Sequence, residues 1–457
     1  MDKKKQKFQL SLLDLVSIGI GMVIGSGVVG LIGPAVALTG RSAGLAYIAA
    51  VVLGLVSILP SIFISSAINV RGGEYTIVKT MMGDMLSGIY IWNFILTHIA
   101  LASTGLAMGA YIQAIFPQAD VNVCAFLVVG LFYVINLFGL KFMNRIQGIM
   151  VIFLLAALFI FCFISCGHLM EGSFAIGSGT YYIGGFTGFI SAAVLLTSST
   201  NSHQLMLGLG GDVGKAKEKL PKAIFITSGI ILIIYGFVGF AAANVLPYEQ
   251  VAGRTLTVVA QAIMPPWLFV FFMIAGPMLA ICSTFNGLFP AVAKTLQKAA
   301  LDGWFPRKMA AENRRGACYW FMTILFIVAV IPILLGLNIQ STVYIMLLVI
   351  NINKIILLIS AFKLPFKYPE HWKASRMHVP LPVYFFLIIL AAAAQILLIV
   401  TSAANLTPVI IGVSLILIAI LSTCAIIRYK TGKVKPVEDD SLGLSSEKEE
   451  QAAENAG

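Results

Sequence analysis

Charge is what this chain has least of. Only 11% of its 457 residues are Asp, Glu, Lys or Arg, against 59% hydrophobic, and the mean hydropathy is +0.96. That is too little charge to cover a soluble domain of this size. No HExxH pair, nucleotide-binding loop or Cys–His cluster occurs, and no Asp or Glu interrupts the middle of an apolar run. These absences argue against a membrane enzyme, against a metal centre, and against a carrier of dications, which would need buried carboxylates. The six cysteines, Cys124, Cys162, Cys166, Cys282, Cys318 and Cys424, have neither metal-ligand nor disulfide spacing. They read as small buried hydrophobes.

What the chain has in abundance is apolar length. Spanning hydrocarbon takes about 20 apolar residues. About twelve such runs follow one another: 11–39, 43–68, 85–115, 122–140, 146–167, 183–209, 223–246, 267–290, 319–336, 340–362, 380–402 and 407–428. The backbone in lipid must bond to itself, so the runs are expected to be helices of an all-α integral membrane protein. The basic opening "MDKKKQKFQ" precedes a run too long for a signal peptide, which is expected to stay as the first helix. The connections are short. One bundle over 11–428 is expected, with a short cytoplasmic segment at 1–10 and a disordered acidic tail at 429–457.

The formal charge of +11 is topological rather than a nucleic-acid patch. With the N-terminus placed inside, 27 of the 30 Lys and Arg fall in cytoplasmic gaps; Arg41 and Arg254 fall outside and Lys354 lies within a run. This bias places both termini in the cytoplasm.

Few ionisable groups interrupt the runs. Asp14 and Asp84 lie near helix starts and fit caps. Lys354, about eight residues from a cytoplasmic end, fits snorkelling. His98 fits hydrogen-bonded packing, and Glu74 falls in a flanking loop.

Glycine is concentrated where a helix tolerates it worst. "GIGMVIGSGVVG", residues 19–30, has five glycines in the first run, each costing a helix about 1 kcal/mol. Two readings fit: a close packing face, or a break whose bare backbone meets a ligand. A break offers N–H groups and a positive dipole end to a carboxylate, and free carbonyls to an ammonium or a cation. The sixth run has a counterpart, "TSSTNSH" at 197–203, whose side chains compete with helical hydrogen bonds.

With these motifs the chain resembles the amino acid–polyamine–organocation permeases. The likeness rests on "GMVIGSGVVGLIGP" at 21–34, "RGGEYTIVKTMMGDMLSG" at 71–88, "KLPKAI" at 219–224 and "KTLQKAALDGWFP" at 294–306. The resemblance implies a five-plus-five inverted repeat, about 11–167 and 183–362, with helices 1 and 6 broken and two extra helices at about 380–428. It implies alternating access around an amino acid in a plasma-membrane carrier, monomeric or homodimeric, with membrane lipid around it and no nucleic acid. Carried over by position, Gly25, Ser26 and Gly27 would receive the substrate carboxylate. The carbonyl of Val23 and those of Ser198 and Asn201 would face the ammonium. Asn201 and His203 would tune selection toward small or polar neutral amino acids.

Relatives of this fold also use a coupling ion, Na+ or H+, and no other cofactor or metal is implied. A sodium site would draw on Gly21, Ile24, Ser283 and Thr284; the same hydroxyls fit ordinary bonds to carbonyls one turn back. The fifth run carries no lysine to stand in for sodium. Exchange, polyamine transport and an amino acid sensor are the alternative functions. The sixth run departs from the family, with Ser, Thr, Asn, His and Gln204 where glycine, an aromatic and often an acid are usual, and Arg71 precedes the Gly-Gly pair.

Overall fold

The computed structural model describes residues 9–434 apart from 71, 174, 178 and 338, and omits the side chains of 26, 29, 100, 114, 140 and 339–341. The tail beyond 434 and the first eight residues, expected to be cytoplasmic, lie outside the described residues. All the apolar runs are helical, and among the described residues there is no strand, only a bridge joining Leu10 to Val213. Among the described residues, eight helices are long and apolar enough to cross a membrane, and Leu12–Val23, Val121–Asn136 and Tyr319–Leu334 are shorter apolar helices.

The first run is α1 (Leu12–Val23), α2 (Ser26–Gly30) and α3 (Ile32–Thr39). There follow α4 (Ala43–Ala67), α5 (Glu74–Met82), α6 (Asp84–Thr97), α7 (Ala100–Ile115), α8 (Val121–Asn136) and α9 (Leu140–Cys166). The sixth run is α10 (Gly185–Thr197), a four-residue turn and a 3-10 segment, Ser202–Asp212. Then come α11 (Ala216–Asn244), α12 (Tyr248–Val251), α13 (Thr257–Ile263) and α14 (Pro266–Met273). A π-turn at Ile274–Met278, built around Pro277, leads into α15 (Leu279–Leu301). Proline has no N–H for the ladder, and a wider turn accommodates it. The amphipathic stretch after 290 therefore continues the eighth run as helix. The chain ends with α16 (Tyr319–Leu334), α17 (Ile339–Lys367), α18 (Pro369–Ala374), α19 (Leu381–Ala404) and α20 (Pro408–Lys430).

The interrupted segments lie inside the bundle and the last two helices outside. α1 packs on α9, α11 and α15, and α10 on α3 and α4. α20 presents Val409, Val413, Ile416 and Ile420 outward, all more than half exposed. Such apolar faces are tolerable only where lipid covers them. The structure is that of a multi-pass membrane protein.

The 71–88 motif departs from the expected loop. Glu74 opens α5, a helix buried along most of its length between α4, α6 and α17. Gly73 and Gly83, at φ 66° and 88°, make the sharp turns at its two ends. Asp84 is no cap: Gly83 holds the cap position, and the Asp84 carboxylate lies 3.8 Å from Lys79. Asp14 does cap, in a reciprocal box with Ser11.

α5 also joins two motifs far apart in sequence. Buried Asp302, in the motif at 294–306, accepts from Tyr75 Oη at 2.9 Å and pairs with Lys79 at 3.0 Å and Lys298 at 2.9 Å. Removing one member of a buried ionic group leaves the others uncompensated, at about 3–5 kcal/mol. Asp302→Ala is expected to lower the thermal unfolding midpoint in detergent by several degrees; an unshifted midpoint would show the cluster to be incidental.

Candidate functional site

The first segment breaks at Ile24 and Gly25, which leave helical geometry at φ −76°, ψ 91° and φ −135°, ψ −145°. Gly25 then stands at the N-cap of α2 with no side chain to cap it, so the first N–H groups of α2 are bare by geometry. Across Leu31, still in α geometry, α2 continues into α3. The carbonyls ending α1 are held by side chains. Tyr235 Oη donates to Val23 at 2.8 Å, and Ser283 and Thr284 donate to Gly21 at 3.2 and 3.0 Å. Beyond the break, Tyr47 Oη donates to Gly27 O at 3.1 Å.

The glycines serve close approach. A Cβ at Gly21 would overlap the Gln147 amide, at Gly25 the Thr284 hydroxyl, and at Gly27 the Ser199 side chain, whereas Gly30 has open space. The packing reading of the opening glycines and the break reading thus both describe this segment.

The second break follows α10, which ends at Thr197. Ser198, Ser199 and Thr200 bond their hydroxyls back to Leu195, Leu196 and Thr197 carbonyls, competing with the helical ladder. Both breaks open on one cavity, whose walls include Val23, Gly25, Gly27, Ser198, Ser199 and Ser202.

The expected residues are not all brought together. Gly25, Gly27 and Ser198 share that cavity, and the side chain of Ser26 lies outside the described residues. Val23 lines it too, and its carbonyl accepts the Tyr235 hydroxyl on one of its two lone pairs. The Asn201 side chain donates to Ser57 on α4 at 3.3 Å and accepts from Thr200 at 3.1 Å, and it borders a second cavity. His203 turns away: its Nε2 meets Ser228 on α11 at 2.9 Å, and it borders neither cavity.

Gly21, Ser283 and Thr284 do meet. Both hydroxyls also bond the Ala280 carbonyl one turn back, and Ile24 is buried close by in the break.

One residue escaped the sequence reading and another was placed wrongly by it. Gln147 on α9 is fully buried against Gly21 and accepts from Asn286 at 3.0 Å; a lone amide in the fifth run was its one signal. Lys354 does not snorkel. It is 4% exposed and lines the second cavity with His98, Asn351 and Gln204. His98 keeps its packing bond, Nδ1 to Phe94 O at 2.8 Å, while bordering the same space.

Two interrupted helices facing one shared cavity, inside a bundle of membrane-length helices, place the molecule in the class of multi-pass membrane carriers. The chain belongs to the amino acid permease family, whose sequence model matches residues 10–424. It is similar to the branched-chain amino acid permease BcaP of Bacillus subtilis (strain 168), 22% identical over 289 residues, 58% of this chain and 61% of that one. It is also similar to the serine/threonine exchanger SteT of Bacillus subtilis (strain 168), 26% identical over 253 residues, 54% and 57% of the two chains. Asc-type amino acid transporter 1 of Homo sapiens is 24% identical over 330 residues, 68% and 62% of the two chains. The match to the first of these spans 61% of that protein's length. By family and by these relatives, the chain stands among permeases and exchangers rather than enzymes.

Alanine at Gly30 is expected to be neutral or to stabilise by up to about 1 kcal/mol. Alanine at Gly25 or Gly21 should destabilise by about 1–3 kcal/mol through overpacking. Thermal unfolding in detergent ranks the three; equal midpoints would remove the close-approach account.

Proposed function

We propose that the chain is a secondary active transporter that moves small or polar neutral amino acids across the plasma membrane by alternating access. The observation that carries this reading is the meeting of both helix breaks at one cavity. Backbone groups there suit what every amino acid shares. The carboxylate is taken by the bare N–H groups of α2 at Gly25–Gly27, and the ammonium by carbonyls at the end of α1 and at Ser198. The paired breaks, in the first and sixth runs, support a five-plus-five inverted repeat with α19 and α20 outside it. The basic-residue bias supports cytoplasmic termini. A relative named as a serine/threonine exchanger supports the polar neutral class, whereas one named for branched-chain amino acids supports amino acid transport only.

The coupling reading turns on Gly21. Sodium ligation there would need the Gly21 carbonyl and the lone pairs of Ser283 and Thr284, and that carbonyl already accepts from both hydroxyls, which also lie within bonding distance of Ala280 O. The Gln147 amide fills the space beside them. The Gln147 atom nearest Gly21 is its amide nitrogen, a donor rather than an oxygen ligand, which favours exchange or proton symport over sodium symport.

Two outcomes test the reading in proteoliposomes. Uptake of labelled serine should be driven by internal amino acid or a proton gradient, with no change on imposing a sodium gradient. Sodium-driven uptake lost in Ser283→Ala/Thr284→Ala would reverse the coupling assignment. Gly27→Ala should abolish uptake in protein that purifies normally, and a second change, Ser199→Gly, should not restore it. Restoration would assign Gly27 to packing alone.

A further inference from the structure

The second cavity is joined to the first: Ser198, Ser202, Leu288 and Met346 belong to the walls of both. An amino acid held by its α-groups at the breaks therefore has an adjoining space into which a side chain can extend, mostly apolar in its walls but carrying a few polar groups. That space is lined by three side chains with unmet hydrogen-bonding capacity. Asn351 Nδ2, a donor, and Gln204 Oε1, an acceptor, are buried without a partner among the described residues. Lys354 has no hydrogen bond or ion pair among the described residues, although the carboxylate of Glu74 is near enough to act on it electrostatically. Glu74 is committed elsewhere, to Ser61 Oγ and Tyr90 Oη, both at 2.7 Å. Polar groups buried in this way seek partners, and those of a transporter can be met by its cargo.

The arrangement specifies the cargo's chemistry. Lys354 and Asn351 offer N–H donors to an oxygen, and Gln204 offers an oxygen to an N–H group. A primary carboxamide presents one of each. A carboxylate would satisfy the donors but leave the Gln204 acceptor facing a second lone pair. Charge separates the two more sharply. The Glu74 carboxylate is already within electrostatic reach of Lys354, and a neutral amide adds no further charge to the buried set. A carboxylate adds an uncompensated charge, which costs far more than a neutral hydrogen bond returns. Hydroxyl side chains satisfy part of the polar set, and apolar ones, though they suit the apolar walls, satisfy none of it.

Resting on the transport reading above, we infer that the joined cavity selects amino acids with a primary carboxamide side chain, glutamine and asparagine, through Lys354, Asn351 and Gln204. These are specificity-determining residues, set apart from the backbone groups that hold the α-carboxylate and α-ammonium.

The test pairs binding with transport. Purified full-length protein in detergent is heated with glutamine, asparagine, serine, leucine, glutamate or aspartate, and the same protein in proteoliposomes is assayed for uptake of each. Glutamine and asparagine should raise the unfolding midpoint most and be taken up at least about tenfold faster than leucine, glutamate or aspartate, the effect of about one unfilled buried hydrogen bond. In Gln204→Met, which leaves the Lys354–Glu74 balance intact, the ratio of glutamine to serine uptake should fall about tenfold. Asn351→Leu should lower the same ratio independently. Preference for glutamate over glutamine would overturn the inference in favour of a carboxylate site. Uptake of serine or leucine with no amide preference, or ratios unchanged in both variants, would overturn it while leaving the transport reading standing. Glutamine stabilisation without uptake of any amino acid would support the amide site and defeat the transport reading instead.

Discussion

In hydrocarbon, a backbone N–H or C=O without a partner is among the most expensive groups a protein can carry. The first segment of this chain breaks its own ladder at Ile24 and Gly25, and much of the surrounding structure answers that cost. Tyr235 from α11, Tyr47 from α4, and Ser283 and Thr284 from α15 each deliver a hydroxyl to a carbonyl on one side of the break or the other. Three different helices are therefore fixed in place around one interruption. The glycines at 21, 25 and 27 permit this, because any larger residue would overlap the groups that close in.

The second break is handled locally. Ser198, Ser199 and Thr200 cap the end of α10 with their own hydroxyls, and Asn201 ties the turn to α4 through Ser57. One break is thus gripped by distant helices and the other largely by its own side chains. Between them lies the space that the bundle encloses, lined on one side by the buried Lys354. At α5 the same economy recurs: Asp302 gathers Lys79, Lys298 and Tyr75, so that two buried ionic groups and the half-buried Lys298 share one another's compensation.

Much was legible in the sequence because it depends on local chemistry. Apolar runs of membrane length can only be helices. Glycine in the middle of one and hydroxyl residues in the middle of another mark where a ladder is weak. The acid at Asp14, three residues after Ser11, signals a capping box. These readings need no partner from elsewhere in the chain.

The remainder was decided by packing between segments distant in sequence. Nothing near Lys354 shows whether its amine reaches a headgroup or an internal cavity; the placement of α17 against α4, α5 and α7 decides that. Glu74 sits in a stretch with the composition of a loop, and it becomes buried because α4, α6 and α17 enclose α5. His203 stands in the polar run expected to face the substrate, yet the 3-10 winding of Ser202–Asp212 carries its ring to Ser228. A 3-10 segment advances each side chain by about 120° rather than 100°. The break could be read from the residues, but which of its side chains face the cavity depended on how the chain winds after it.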